Sequence, residues 1–312
     1  MNIFVSGAAG FIGSHLVEKL ALLGHTVVGV DSFREDLYES RKRRKVWEEL
    51  EARFPNISLY EFDLQQRRNF ADLGDFSVVY HLAATPGLQL SWNNPNLYFN
   101  NNVITTLNMV DGFATSNLDK FFYISTSSVY GEFGVGNESM PLNPISPYGI
   151  SKLAAEQLVS NYCNFYRIPF NIFRPFSVYG PRQRDDMAYN IFFRKIMNGE
   201  EISVYGDGSQ SRSNTYVTDI VNGLVNGISS SRNSQIYNLS GSETISINET
   251  LQLMEDIVGK KAIVKYHSFK PGDQRRTQGD FSKAETEIDY RPQISMREGL
   301  QRQYLWHLSL KS

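Results

Sequence analysis

The chain has 312 residues and a mass of 35.6 kDa, with 41% hydrophobic and 21% charged residues, enough for one large domain or two lobes with substantial cores. A net charge of -2 and a pI near 6.2 exclude a general binder of nucleic acid or anionic membrane, whose affinity would come from excess Lys and Arg. The single cysteine, Cys163, rules out an internal disulfide, and His15, His25, His81, His267 and His307 lack ligand spacing, so no metal centre is expected. No signal peptide is seen at Met1-Asn2-Ile3-Phe4, and no apolar run approaches the ~20 residues of a membrane span. The expected compartment is the cytoplasm.

The chain opens with an apolar strand, Asn2 to Ser6, followed by Gly7-Ala8-Ala9-Gly10-Phe11-Ile12-Gly13 and a helical pattern from Phe11 to Leu23. Further strands are predicted at Thr26 to Val30, Ile57 to Phe62, Ser77 to Leu82, Lys120 to Ser125 and Pro169 to Phe173. Several are apolar throughout, as strands covered on both faces must be. Helical periodicity marks Pro95 to Ser116 and Pro147 to Arg167. Arg41-Lys42-Arg43-Arg44-Lys45, followed by Glu48, Glu49 and Glu51, reads as a solvated helix with alternating charge blocks. Alternation of strand and helix predicts an α/β fold, a doubly wound parallel sheet over residues 1–174. Beyond Arg174-Pro175 the elements shorten. Residues 175–214 and 240–312 are expected to form a smaller interleaved lobe over the carboxyl ends of the strands. The helix Val217 to Ile228 and the strand Gln235 to Leu239 would return 215–239 to the main sheet.

Strand before and helix after give the three glycines a dinucleotide-binding context. Gly7 permits the tight turn, Gly10 admits a pyrophosphate to the backbone, and Gly13 lets helix pack closely on strand, while Phe11 and Ile12 open the helix whose amino end faces the phosphates. Asp31, closing the next strand, can accept hydrogen bonds from ribose hydroxyls and would repel a 2′-phosphate, so NAD is expected rather than NADP. Arg34 lies near enough to stack on the adenine, or to accept a phosphate were Asp31 to turn away. Asp63-Leu64 and Leu82-Ala83-Ala84, at the ends of later strands, would wall the adenine and ribose.

Tyr148 and Lys152 stand four apart at a helix start, where Pro147 follows Ser146 and Leu153, Ala154, Leu158, Val159, Tyr162 and Tyr166 continue an apolar stripe. Positions i and i+4 share a face, so the Lys152 ammonium is expected beneath the Tyr148 phenol, favouring the ionised base that starts hydride transfer. Two other pairs at this spacing have no such setting. Tyr38/Lys42 lies in a charged run, and Tyr266/Lys270 is cut off by Pro271.

With these features, His81-Leu82-Ala83-Ala84, Ser125-Thr126-Ser127-Ser128-Val129-Tyr130-Gly131 and Arg174-Pro175-Phe176-Ser177-Val178-Tyr179-Gly180-Pro181 in order, the chain resembles the extended short-chain dehydrogenase/reductases over nearly its whole length. Among them it is most similar to nucleotide-sugar 4-epimerases. The resemblance implies that Thr126 shares the proton of the sugar 4-hydroxyl, Tyr148 is the base, and Lys152 holds the nicotinamide ribose. Ser125 and Pro175 would line the cofactor, and Phe176 and Ser177 the sugar. Gly206-Asp207-Gly208-Ser209-Gln210-Ser211-Arg212 and Lys270-Pro271-Gly272-Asp273-Gln274-Arg275 resemble the segments that bind the nucleotide diphosphate. Gln210, Arg212, Asp273 and Arg275 are thereby implied, with the two arginines as a forked clamp. The family often has Arg-Asp-Phe or Arg-Asp-Tyr at the first of these, where this chain has Arg212-Ser213-Asn214. A homodimer, packed through the helices at Pro95 to Ser116 and Pro147 to Arg167, is likewise implied.

The segment after Thr126 narrows the reaction. Similar 4,6-dehydratases follow that position with Asp-Glu, and similar uronate decarboxylases resemble Ser-Thr-Ser-Glu here. Ser127 and Ser128 supply neither acid nor base near neutral pH. Epimerisation remains. Gly180-Pro181-Arg182-Gln183-Arg184-Asp185-Asp186-Met187-Ala188 looks like the corresponding segment of UDP-glucuronate 4-epimerases. Arg184 would pair with the sugar carboxylate, joined by the Thr126, Ser127 and Ser128 hydroxyls. Alternatively, Arg184 forms only a salt bridge with its flanking aspartates. The expected reaction interconverts UDP-glucuronate and UDP-galacturonate. Its alternatives are a neutral UDP-hexose 4-epimerase, a net dehydrogenase and a non-catalytic NAD-sensing protein.

Overall fold

The computed structural model describes residues 1–35, 40–68, 70–269 and 274–310. Seven parallel strands form the central sheet: β1 Asn2–Ser6, β2 Thr26–Asp31, β3 Ile57–Glu61, β4 Val78–His81, β5 Lys120–Ile124, β6 Phe170–Pro175 and β7 Gln235–Leu239, in the order β7-β6-β5-β4-β1-β2-β3. Strand alternation sorts the core into two layers. Ile3, Val5, Tyr80 and Phe122 pack against Leu16, Leu20, Ile220 and Leu224 on one face. Phe4, Val79, Phe121 and Tyr123 pack against Met109, Phe113, Val159 and Cys163 on the other. The order reverses on either side of β1, which leaves a crevice at the carboxyl ends of β1 and β4, where open α/β sheets bind ligands.

The expected strands and helices fall within a few residues of these bounds, with one instructive difference. Pro95 to Ser116 is helical only to Gly112, and its middle, Asn100–Ile104, is a π-helical turn between the α-helices Pro95–Phe99 and Thr105–Gly112. Such a turn moves following side chains to a new face and is frequent at functional sites. The next helix, Pro147–Tyr166, starts as read: the Ser146 side chain accepts the Gly149 N–H at 3.1 Å, and Pro147 occupies the first turn.

Over the crevice sits a second layer. A four-stranded sheet runs Thr244–Ser246, Ser211–Ser213, Arg276–Gly279, Phe133–Gly136, and helices Ala188–Asn198, Ile247–Val258 and Met296–Ser309 share a core of Phe193, Ile196, Leu251, Met254 and Leu300. The strand Phe133–Gly136, from the first half of the chain, thus belongs to a sheet otherwise built from the second. Between the layers, Arg174 at the end of β6 is almost wholly buried. It donates to both Glu156 carboxylate oxygens at 3.0 and 2.6 Å and to the Tyr130 hydroxyl at 2.9 Å. Burial opposes the charge, but Glu156 outweighs it and raises the pKa of Arg174.

Candidate active site

At the carboxyl end of β1 the backbone turns at Gly7, whose φ of +69° suits glycine, and an added Cβ would stand 2.8 Å from the Ala83 nitrogen. Gly13 packs against the Gly7 carbonyl so closely that no side chain fits. Two cavities meet at this turn. One is lined by Gly7, Gly10, Asp31, Arg34, Asp63, Leu64, Leu82, Ala83 and Ala84. The other, about 530 Å³, is lined by Gly7, Gly10, Phe11, Ile12, Gly13, Ser125, Thr126, Ser127, Ser128, Tyr148, Lys152, Pro175, Ser177, Arg184 and Arg212.

In the first cavity the Asp31 carboxylate accepts the Ala9 and Phe33 amides at 3.1 and 3.0 Å. Burial raises its pKa, opposed by the adjacent Arg43 guanidinium and those amides. Arg43 donates to Asp31 at 3.2 Å and to the Arg34 carbonyl oxygen at 2.6 Å. The basic run is therefore not uniformly solvated. Arg43 shares the face of Trp47 and Leu50, the buried residues of the helix Arg41–Arg53, and turns inward with them, while Lys42 and Arg44 form exposed pairs with Asp185 and Glu61. That helical phase was the signal by which Arg43 could have been singled out. Arg34 pairs with Asp63 at 2.9 Å.

In the second cavity Thr126 caps the short 3-10 helix Ser127–Tyr130 through the Ser128 amide at 3.1 Å, and its hydroxyl reaches Ser128 Oγ at 3.1 Å. Tyr148 is half-buried beside it. Burial raises the Tyr148 pKa, and the hydrogen bond with Thr126 and the Arg184 charge pull it back. Lys152 lines the same cavity as Tyr148, as expected. Its Nζ donates to the Ile124 carbonyl oxygen at 2.7 Å and stands 4.2 Å from the centre of the Tyr123 ring. Burial lowers its pKa to about 7, with Glu156 opposing. Thr126 and Arg184 thus favour the Tyr148 phenolate.

Arg184 is paired with one of its flanking aspartates. It grips Asp186 through two bonds of 2.9 and 2.8 Å, and both residues line the cavity. The residues expected to clamp the diphosphate line two different hollows. Arg212 faces the cavity, bonded to the Ser211 and Gln274 carbonyls. Arg275, more than half exposed, pairs with Glu132 at 2.8 Å and, with Gln210, lines a separate hollow at the four-stranded sheet. Asp273 lies outside the described residues. Phe176 is fully buried against Tyr130 and does not line the cavity. Pro86 to Leu90, Gln274 and Met187 line it without having been singled out in the sequence.

The residues fit a dinucleotide. A glycine cradle joins two cavities, a carboxylate sits in the outer one, and the Ser125 hydroxyl, buried without a hydrogen-bond partner, lies at the wall of the inner one.

Comparison with known proteins agrees with this geometry. Residues 3–240 match the model of the NAD dependent epimerase/dehydratase family. A UDP-glucuronate 4-epimerase from Thermodesulfobacterium geofontis (strain OPF15) is 34% identical, covering 97% of this chain and 94% of that protein. The uncharacterized UDP-glucose epimerase YtcB of Bacillus subtilis (strain 168) is 36% identical over 99% of each. The crystal structure of the Bacillus cereus UDP-glucuronic acid 4-epimerase in complex with UDP-glucuronic acid and NAD superposes with a TM-score of 0.95 at 36% identity, covering 99% of this chain and 100% of that one.

Proposed function

Because the chain belongs to the NAD dependent epimerase/dehydratase family, we propose that it interconverts UDP-glucuronate and UDP-galacturonate by transient oxidation at carbon 4. The observation that carries this reading is the meeting of Tyr148, Thr126 and Arg184 in one cavity, where Ser127 and Ser128, next to Thr126, offer no acid for dehydration. The relatives named for UDP-glucuronate support the same substrate.

Bound NAD supplies a reversible two-electron acceptor for carbon 4. Gly7, Gly10 and the amino end of the helix Phe11–Leu22 hold its phosphates, Asp31 its adenosine ribose, and Lys152 and Ser125 its other end. Tyr148 takes the proton of the 4-hydroxyl, with Thr126 as the partner hydroxyl, and gives a proton back after the 4-keto sugar has turned over in the cavity. Arg184 holds the uronate carboxylate through its fork. A 4-keto uronate is a β-keto acid, so this grip also keeps the carboxylate out of alignment with the ketone and prevents loss of carbon dioxide. Arg212 stands at the cavity wall to meet the diphosphate.

A neutral UDP-hexose is the second reading, favoured by the Asp186 carboxylate that already engages the Arg184 fork. A panel of UDP-sugars followed by NMR decides between them. The account expects UDP-glucuronate to give UDP-galacturonate with no pentose, and preferential turnover of UDP-glucose would overturn it. The protein is further read as a cytoplasmic homodimer. Apolar residues exposed on the two helices implied as its interface, Phe99, Ile104, Ile150 and Phe165, support the dimer.

A further inference from the structure

The strand β5 is buried at every position, and its alternation sends Phe121 and Tyr123 to the face covered by the helix Pro147–Tyr166. On that helix Ala155, Val159 and Cys163 pack into the same apolar layer. Lys152 precedes Ala155 and Val159 by one and two turns on the same side, so helical period carries its amine out of water with them. Lys152 and Tyr123 are exposed by only 2% and 0%. The Lys152 Nζ donates to the Ile124 carbonyl oxygen at 2.7 Å and stands 4.2 Å from the centre of the Tyr123 ring. Lys152 lines the cavity and Tyr123 does not, so the ring supports the amine from behind.

The groups that act on this amine come from its own helix, from β4 and from β5. Glu156, one turn along the helix, favours the charge, but both of its carboxylate oxygens are held by Arg174 at 3.0 and 2.6 Å. Burial raises the pKa of the Tyr148 phenol one turn earlier, opposed by Thr126 and Arg184. His81, at the end of β4, has its ring centre 5.6 Å from that of Tyr123. Burial and the Lys152 charge lower its pKa to about 3, so it adds no second cation near neutral pH. Burial also pushes the Tyr123 phenol well above its ordinary value, which keeps that ring uncharged. The same burial lowers the Lys152 pKa to about 7 and leaves its charge in need of support. The face of an aromatic ring is the negative side of its quadrupole, and its attraction for a cation is largest where both are out of water. A leucine at position 123 would fill the apolar layer and supply none of this.

We infer that Tyr123 is a positioning residue for the reaction: the face of its ring holds the Lys152 ammonium, as a cation, at the end of β5 where the cavity opens. The inference rests on the reading of Lys152 as the residue that holds the nicotinamide ribose. An ammonium makes the stronger, charge-assisted bond to that ribose and favours a phenolate in the same cavity. A neutral amine forfeits both.

The test uses the full-length, NAD-loaded protein with Tyr123→Leu, which removes the ring, and Tyr123→Phe, which keeps its face. Two quantities are read. One is the titration midpoint of Lys152 in protein carrying lysine labelled with ¹³C at Cε, its signal identified by its loss in Lys152→Met. The other is the pH profile of kcat for UDP-glucuronate. The ring favours the charged form, so Tyr123→Leu should lower the Lys152 midpoint by about one pH unit or more, while Tyr123→Phe stays within about 0.3 of the parent. The alkaline fall of kcat, which follows loss of the Lys152 proton, should move down with the midpoint. An unchanged midpoint in Tyr123→Leu, even with a lowered melting temperature, would leave Tyr123 a merely structural residue and overturn the inference. An equal shift in Tyr123→Phe, or a moved midpoint with an unmoved kcat profile, would overturn it as well. If Tyr123→Leu does not fold, Tyr123→Met decides on the same midpoint. If the parent protein ignores uronates yet the midpoint moves as stated, the substrate reading fails while the role of Tyr123 stands.

Discussion

In the proposed reaction Arg184 carries the difference between a uronate and a neutral hexose, and its flanking aspartates made its role ambiguous in the sequence. The structure gives each aspartate its own partner: Asp185 reaches across to Lys42, and Asp186 holds the Arg184 fork from inside the cavity. Hydrogen bonds to charged groups contribute about 1.5–3 kcal/mol. Arg184→Ala should therefore lower kcat/KM for UDP-glucuronate roughly 10- to 100-fold, while kcat/KM for UDP-glucose stays within about threefold; equal losses on both substrates would remove Arg184 from carboxylate recognition. The base is simpler to test. Tyr148→Phe should cost about 10²- to 10⁴-fold in kcat without loss of bound NAD, and parent-like turnover would exclude the phenol as the proton acceptor. Residues whose chemistry is local, such as the glycines, Asp31 and Tyr148, were legible in the sequence. Arg43 was missed, because within a run of five basic residues only its helical phase with Trp47 and Leu50 sets it apart.

At the scale of the element, the helix Pro147–Tyr166 presents Tyr148, Lys152 and Glu156 at successive turns, and only the first two were read. Glu156 is buried with Arg174, so its partner is supplied by another strand and no spacing reveals it. Removing one member of a buried pair leaves an uncompensated charge and costs about 3–5 kcal/mol. Glu156→Ala should lower stability by that order in urea denaturation, and a change below about 1 kcal/mol would show the pair to be relaxed by water. Lys152 gives a pH dependence. Its pKa falls from 10.5 to about 7 on folding, so between those values the unfolded chain binds more protons and stability rises with pH. In NAD-free protein, Lys152→Met should raise the melting temperature at neutral pH and flatten this rise; an identical pH profile in the variant would contradict the burial of its amine. The π-helical turn left no trace in the apolar periodicity, because the helices on either side of it have 5 and 8 residues and are too short to display a phase.

For the whole molecule, the parallel sheet was legible because strands buried on both faces are apolar throughout. The second lobe was less so. Its strands are short and polar, and their pairing depends on contacts between segments far apart in the chain, such as Phe133–Gly136 with Arg276–Gly279. The same distance explains why Arg212 and Arg275, matched as a clamp in the sequence, face different hollows. Assembly belongs to this scale. If the helices bearing Ile104, Ile150 and Phe165 form the dimer face, Ile150→Glu with Phe165→Glu should convert the protein to monomers in light scattering, and an unchanged mass would place the interface elsewhere.

The most direct measurement follows deuterium from carbon 4. UDP-[4-²H]glucuronate is incubated with the protein in ordinary water, and the product is examined by NMR. Removal and return of the hydride within one cavity predicts UDP-galacturonate that retains its deuterium at carbon 4. Loss of deuterium to solvent, or a product unaltered in configuration at that carbon, would contradict it.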